Sequence, residues 1–78
     1  MAFNGARARE RRVELGLSQF QLCEKIRAAS IATGNEPVII RPEYISSYEN
    51  GSGAPGRTNF LHLVRALDLP ATELETGL

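Results

Sequence analysis

Helix start and stop signals divide this sequence into short segments, and they constrain the fold more than any other feature. Ser18 followed by Gln21 is a capping-box pattern, in which each side chain satisfies a free backbone group of the other residue at a helix start. The glycine two positions upstream is typical of the residue that ends a preceding helix. We therefore predict a helix from Ser18 to about Thr33, where Gly34-Asn35 indicates a stop.

Similar signals predict the remaining helices. Asn4 is a suitable N-cap, and Pro42 is favoured at a first helical position because its missing N–H costs nothing there. Gly51 closes the helix that Pro42 opens. The other predicted helices run from about Gly5 to Leu15, from Pro42 to Asn50, from about Thr58 to Leu67 and from Ala71 to Leu74. The sequence thus predicts an all-α fold, a compact bundle of four to five helices.

The spacing of apolar residues predicts which helix faces pack inward. Two stripes are predicted: Ala6, Val13 and Leu17 for the first helix, and Phe60, Leu61, Val64 and Leu67 for the fourth. In the third helix Ile45 and Tyr48 lie three apart on one face, which leaves its polar residues to face outward. This helix is short and slender enough to enter a groove about 12 Å wide, such as the major groove of DNA.

Length and composition restrict the class of protein. A chain of 78 residues makes a single domain, residues 1–78, with one small core. Its one cysteine, Cys23, has no partner for an internal disulfide and favours a reducing compartment. No stretch approaches about twenty apolar residues and no signal-peptide pattern is present, so we expect a cytoplasmic protein without a membrane segment. No nucleophile–base pair, carboxylate pair or phosphate-cradling loop stands out, so we expect neither an enzyme nor a bound cofactor or metal.

The charges are balanced in number but unevenly placed. The formal net charge is zero, which is unusual for a protein that must neutralise phosphates. Residues 1–41 nevertheless carry seven basic and four acidic residues, whereas residues 42–78 carry two basic and five acidic ones. A molecule polarised in this way can present a basic face while it stays neutral overall; the alternative is a mixed, solvated surface.

Several segments together carry a resemblance to a known family. Glu14-Leu15-Gly16-Leu17-Ser18-Gln19 and the following Leu22-Cys23-Glu24-Lys25-Ile26 resemble the opening of the Cro and phage-repressor (Xre-like) helix-turn-helix family. Residues 45–51, Ile-Ser-Ser-Tyr-Glu-Asn-Gly, with Pro55 after three more, resemble its signature I-x-x-φ-E-N-G-x-x-x-P, where φ is apolar. The residues from Phe60 to Leu74 continue in register. The resemblance implies a lambda-repressor-like DNA-binding domain, a repressor-like transcription regulator that binds double-stranded DNA as a homodimer.

The resemblance also implies roles for individual residues. Five positions would line the major groove and read bases: Arg41, Glu43, Tyr44, Ser46 and Ser47. Three would contact phosphates: Gln19, Asn50 and Arg57, of which Arg57 could instead reach the minor groove. Arg12 and Glu49 would form a partly buried salt bridge that orients the third helix without touching DNA. Cys23 stands where the family usually has alanine, which implies a small buried apolar residue.

For each of these groove-lining residues, base contact competes with backbone contact or simple solvent exposure. Arg41 could form a bidentate contact with guanine or bind a phosphate. Glu43 could accept a hydrogen bond from cytosine, yet its charge repels phosphates. For Gln19, the free N–H groups of the first helical turn favour an anion, and a solvent-facing side chain is the alternative.

The sequence departs from the family pattern between the second and third helices. About a dozen extra residues, roughly Ala28 to Ile39, replace a turn of three or four. The insertion could lengthen the second helix and loop back, leaving the two-helix geometry intact, and Gly34 and Pro37 favour this reading. It could instead make contacts of its own with a phosphate or a partner protein, or hold the third helix at an unusual angle.

Two other functions remain open from the sequence. The same fold serves antitoxins of toxin–antitoxin pairs, which bind both DNA and a partner toxin protein. Zero net charge and Glu43 also allow a protein-interaction module of this fold that does not bind DNA. A salt titration separates DNA binding from the last alternative, because affinity for a duplex falls with a log–log slope of about −0.9 per phosphate neutralised.

Overall fold

A computed structural model describes residues 2–34 and 36–76 and shows an all-α fold. Within these ranges there are five helices and two very short strands. The elements in chain order are β1 (Ala2–Phe3), α1 (Gly5–Glu14), α2 (Gln19–Ala32), α3 (Pro42–Asn50), α4 (Arg57–Leu67), α5 (Ala71–Leu74) and β2 (Glu75–Thr76). The predicted number of helices and their approximate bounds are confirmed. No described helix combines the length and the apolar character needed to cross a bilayer.

The capping signals act as expected. Asn4 Oδ1 accepts a hydrogen bond from the backbone N–H of Arg7 at 3.1 Å, which starts α1. Ser18 Oγ accepts from Gln21 N at 3.0 Å, and Gln21 Oε1 accepts from Ser18 N at 2.8 Å, so the capping box of α2 is complete. Gly51 ends α3 with a φ of 83°, a conformation in which a side chain would be strained.

The two strands join the first and last elements of the described chain. They pair antiparallel, with Ala2 opposite Thr76 and Phe3 opposite Glu75. Just beyond the ladder, Asn4 N donates to the carbonyl of Leu74 at 2.7 Å. Strands of two residues have no readable periodicity, so nothing in the sequence predicted them.

All five helices contribute to one core. Its members are Ala8, Leu22, Cys23, Ile26, Ile40, Ile45, Leu63, Ala66, Leu67 and Leu74. The helix α2 packs against α3 and α4, while α1 packs against α3. As a result, α3 is supported from behind by two helices.

The predicted stripe of α1 is wrong for Ala6 and Val13, whereas Leu17, which follows the helix, is half-buried against the core. Ala6 is exposed and Val13 is 59% exposed. The helix instead buries Gly5, Ala8 and Arg12, because an arginine that pairs with a buried carboxylate can occupy an inward position. A stripe chosen from apolar residues alone passed over Arg12, and the predicted inner face of the helix was therefore rotated.

The predicted stripe of α4 is partly wrong. Leu67 is fully buried, but Leu61 is 41% exposed, while Phe60 and Val64 are half-buried against the core. The buried face of α4 is formed by Leu63, Ala66 and Leu67. The face of α4 that packs inward is therefore rotated from the predicted one and includes Ala66. This small residue lets neighbouring helices approach closely.

As the first reading of the insertion predicted, the segment between α2 and α3 lengthens α2 and loops back; that the two-helix geometry is intact stays a prediction. The helix α2 extends to Ala32, and the chain then turns at Gly34, whose φ is 82°; Asn35, part of the predicted stop, lies outside the described residues. Ser30, only 1% exposed, donates its hydroxyl to the carbonyl of Arg27 at 2.8 Å and accepts from the N–H of Val38 at 2.9 Å. This buried hydroxyl fastens the returning segment to α2.

Candidate nucleic-acid interface

The inner face of α3 is firmly anchored. Ile45 is 1% exposed in the core. Tyr48 packs edge-on against Phe3, with ring centroids 6.2 Å apart, and its hydroxyl accepts a hydrogen bond from Asn59 Nδ2 at 3.5 Å. As predicted, Tyr48 lies with Ile45 on the packed face of α3, at the edge of the core. The opposite face of α3 is therefore the one available to a ligand.

The outer face of α3 divides into an open first turn and a more enclosed second half. Arg41 at the N-cap, Glu43 and Tyr44 are exposed, and Tyr44 has 54% of its surface accessible. Ser46 and Ser47 are half-buried. The three exposed side chains combine a cation, an anion and an aromatic ring, so the first turn has the more varied hydrogen-bonding capacity.

The hydroxyl of Ser47 is already engaged. Its Oγ lies 3.0 Å from Ser52 Oγ, and a Cβ on Gly53 would come within 2.7 Å of it. The carbonyl of Ser47 accepts from the N–H groups of Ser52 and Gly53 at 3.1 and 3.2 Å. Ser47 thus holds the loop after α3, and a base contact from it would share a hydroxyl that already bonds Ser52.

At the other end of α3, one carboxylate connects three helices. Glu49, whose side chain is 5% exposed, accepts hydrogen bonds from Arg12 Nε at 2.6 Å and Nη2 at 3.0 Å. It also accepts from Gln19 Nε2 at 3.2 Å. Arg12 comes from α1 and Gln19 is the first residue of α2, so the end of α3 is fixed relative to both. The salt bridge that the resemblance implies is present, and it is shielded from solvent.

The environment of Arg12 favours its charged form. The hydrogen bond that Arg12 donates to Glu49 raises the pKa of Arg12, burial opposes this increase, and the negative charge of Glu49 adds to it. The remaining terminal nitrogen, Nη1, donates to the carbonyl of Leu17 at 2.8 Å. The guanidinium therefore donates hydrogen bonds both to the carboxylate and to the turn between α1 and α2.

Gln19 contacts Glu49, a role that the sequence did not reveal. Its amide nitrogen carries two hydrogens, and one of them is directed to the carboxylate. The other remains for a ligand at the start of α2, where the N–H groups of the first turn also point outward. The phosphate role expected for Gln19 is compatible with this arrangement and stays a prediction.

The other expected phosphate contacts lie at the two ends of the loop between α3 and α4. Asn50 is exposed, and its Oδ1 accepts from Ser52 N at 3.0 Å, so its amide nitrogen is the group left to donate. Arg57 is exposed at the start of α4 and lines an open groove of about 480 Å³ with Phe3, Pro55 and other apolar residues. Both roles also stay predictions.

Ion pairing leaves most of the basic residues available. Within the described ranges, the salt bridges use Arg7, Arg11 and Arg12, with Glu10, Glu14, Glu49 and Glu73 as partners. The other basic residues are exposed and form no ion pair with a described residue; they are Arg9, Lys25, Arg27, Arg41, Arg57 and Arg65. A chain of zero net charge thus retains cations that can meet phosphates.

One structural requirement of the site was missed by sequence reasoning. Gly5 lies where the start of α1 meets the end of α3, and a Cβ there would collide with the carbonyl oxygen of Tyr48 and lie 2.9 Å from that of Glu49. This close approach lets Arg12, two turns along α1, reach the carboxylate. A glycine at the start of a helix carries no signal that distinguishes close packing from capping.

No group of three or more His, Cys, Asp or Glu residues suited to a metal ion occurs in the part of the chain that the structure describes.

Comparison with protein-family models, with curated proteins and with solved structures finds no match for this chain. The function is therefore argued from the geometry of α2, α3 and their contacts.

Proposed function

We propose that this protein is a helix-turn-helix DNA-binding domain that reads the major groove with α3 and acts as a repressor-like transcription regulator. The helices α2 and α3 form the two-helix unit, and the residues between them form an enlarged turn. The resemblance of residues 14–26 and 45–55 to the Cro and phage-repressor family is the sequence argument for this assignment.

The observation that carries the proposal is the fixation of α3 through Glu49. A recognition helix must be held at a set angle while its outer face stays open. The contacts from Arg12 and Gln19 hold the last turn of α3, whereas its first turn exposes Arg41, Glu43 and Tyr44. The first turn thus leaves a cation, an anion and an aromatic ring open to a ligand.

The chemistry of the exposed turn suits a base-reading surface. Arg41 can donate two hydrogen bonds to guanine O6 and N7, and Tyr44 can contact a thymine methyl or a phosphate. Glu43 brings a negative charge to this turn, which repels nearby phosphates. Gln19 and Asn50, at the start of α2 and the end of α3, each keep amide donors for phosphates on either side of the groove. We place Ser46 and Ser47 at the edge of this surface because both are half-buried.

Selection of bound sequences from a random duplex library tests the proposal. We expect an enriched consensus, and binding of that consensus should weaken with salt at a log–log slope of about −0.9 per phosphate contacted. Arg41→Ala should reduce affinity for the consensus by about 1–3 kcal/mol and relax the preference at one base pair.

Arg65→Ala is the matched control, because Arg65 is equally exposed but lies in the last turn of α4. It should change affinity much less than Arg41→Ala and leave the consensus unaltered. Failure to enrich any sequence, together with no salt-dependent binding to duplex, would contradict the proposal and favour a protein-interaction module of the same fold.

A further inference from the structure

The outer face of α2 carries a stripe of four exposed residues that no other part of the described chain covers. Phe20 is 61% exposed and Ile31 is 47% exposed, and Glu24 and Arg27 between them are exposed as well. At about 100° per residue, these four positions fall within an arc of about 60° around the helix axis. They therefore form one continuous surface, which we call the α2 stripe.

The α2 stripe is symmetric about its own centre. Phe20 and Ile31 lie equally far from its midpoint, and so do Glu24 and Arg27. The stripe reads apolar, acidic, basic, apolar in one chain direction and apolar, basic, acidic, apolar in the other, so each charge meets its opposite when the stripe is reversed. A two-fold axis through the midpoint would bring each residue opposite its counterpart in a second copy.

From this symmetry we propose that the α2 stripe is a self-association surface, on which the α2 helices of two copies pack antiparallel. Phe20 of each copy would then contact Ile31 of the other copy. The two contacts of this kind would lie about 16 Å apart along the helix. Glu24 of each copy would face Arg27 of the other. The dimer interface would thus have two ion pairs at its centre and one apolar contact at each end.

The structure supports a second copy as the occupant. Neither Glu24 nor Arg27 forms an ion pair with any residue of the described chain, although each is within three positions of the other. A partner helix running in the opposite direction satisfies both charges and covers both apolar side chains at once. A helix of 14 residues buries little area, so we expect a weak dimer that depends on protein concentration.

This proposal goes beyond DNA binding and does not depend on it. Antiparallel α2 helices point their N-terminal ends, with Gln19, in opposite directions.

Sedimentation equilibrium from low micromolar to near-millimolar concentration tests the proposal on the full chain. We expect a monomer–dimer equilibrium for the original sequence and an increase of about tenfold or more in the dissociation constant for Phe20→Glu. Val13→Glu is the matched control, because Val13 is 59% exposed but lies on α1; it should leave association unchanged. Circular dichroism of each variant establishes that it is folded.

Charge reversal identifies the geometry. Glu24→Arg and Arg27→Glu each place like charges opposite each other in a dimer of identical chains, so each variant alone should be monomeric. An equimolar mixture of the two should dimerise, because opposite charges then face each other at both positions. A chain that stays monomeric at the highest concentration, a dimer that persists in Phe20→Glu, or a mixture that does not associate would each overturn the proposal.

Discussion

The guanidinium of Arg12 donates hydrogen bonds to both carboxylate oxygens of Glu49, across 37 positions of sequence, at 2.6 and 3.0 Å. Planar bidentate pairs of this kind fix orientation as well as distance. Their side chains are only 11% and 5% exposed, so water cannot replace either partner. The relative placement of α1 and α3 therefore depends on both residues together.

Removal of one partner should be costly. Arg12→Met leaves the Glu49 carboxylate buried without its counter-charge, which should lower the free energy of unfolding by about 3–5 kcal/mol. For a domain of this size the melting temperature should fall by more than about 10 °C. Arg9→Met is the control, because Arg9 is exposed and unpaired; thermal denaturation followed by circular dichroism should show little change for it. Equal melting temperatures for the two variants would count against a structural role for the pair.

The contact at Gly5 should tolerate no side chain. In Gly5→Ala the new Cβ meets the backbone carbonyls of Tyr48 and Glu49, which cannot move without displacing α3, so we expect a loss of about 3 kcal/mol or more. Gly56→Ser is the control, since the N-cap position of α4 has open space around it and serine caps helices well. Urea denaturation should show a large shift of the midpoint for the first variant and none, or a small stabilisation, for the second.

The hydroxyl of Ser30 should matter more than its size suggests. Ser30→Ala removes two hydrogen bonds and leaves the N–H of Val38 without its acceptor, so we expect a loss of about 1–3 kcal/mol. Faster hydrogen exchange of the Val38 amide should accompany this loss. Ser46→Ala is a suitable comparison, because no hydrogen bond of its hydroxyl occurs among the described residues. If the Val38 amide exchanges at the same rate in Ser30→Ala as in the original chain, the hydroxyl does not fasten the segment.

Cys23 should react slowly and should make stability depend on alkaline pH. Burial raises the pKa of the Cys23 thiol, and the charges of Glu24 and Glu43 add to this effect. The folded state then holds the proton more tightly than the unfolded state, so the associated stability is present below about pH 8.5 and is lost as the pH rises through the folded value. Denaturation curves of Cys23→Ala should lack this part of the pH dependence.

Thiol labelling provides an independent measurement for the same residue. A thiol reagent at slightly alkaline pH should modify Cys23 much faster in urea than in the folded chain, because the side chain is 8% exposed. Equal rates in the two conditions would contradict the buried placement.

Removal of the negative charge in the first turn of α3 should strengthen DNA binding. Glu43→Gln eliminates repulsion from nearby phosphates, worth about 1 kcal/mol for a charge in water at close range, or about fivefold in affinity. Asp68→Asn is the control, because Asp68 is also exposed, lies at the end of α4 and has a φ of 53° that asparagine accepts. Fluorescence anisotropy at constant salt should show tighter binding only for Glu43→Gln. A loss of binding with a changed consensus would instead assign Glu43 to base recognition.

Local sequence signals were sufficient to predict where the helices begin and end, but not which face of each helix packs inward. The boundaries followed from short-range chemistry, such as the capping box of Ser18 and Gln21, which depends only on neighbouring residues. The packed face of α1 could not be found in this way, because Arg12 is buried only in the presence of Glu49, which a hydrophobicity pattern cannot represent. The close approach at Gly5 is likewise a property of two distant segments.

The contacts of the candidate site likewise divide into one that was predicted and others that were not. The family resemblance implied Arg12 and Glu49 as a pair, and the structure contains it. The hydrogen bond from Gln19 and the pairing of Ser47 with Ser52 were not foreseen. The first depends on how the start of α2 meets the end of α3, and the second on how the loop after α3 folds back on that helix.

The attachment of Val38 to Ser30 closes a short excursion of the chain around Glu36, which is exposed. Doubling the length of such an excursion costs only about 0.6 kcal/mol in closure entropy. Insertion of a reporter peptide beside Glu36 should therefore lower the stability of the domain only slightly. The peptide would allow the domain to be immobilised while the core helices stay as they are.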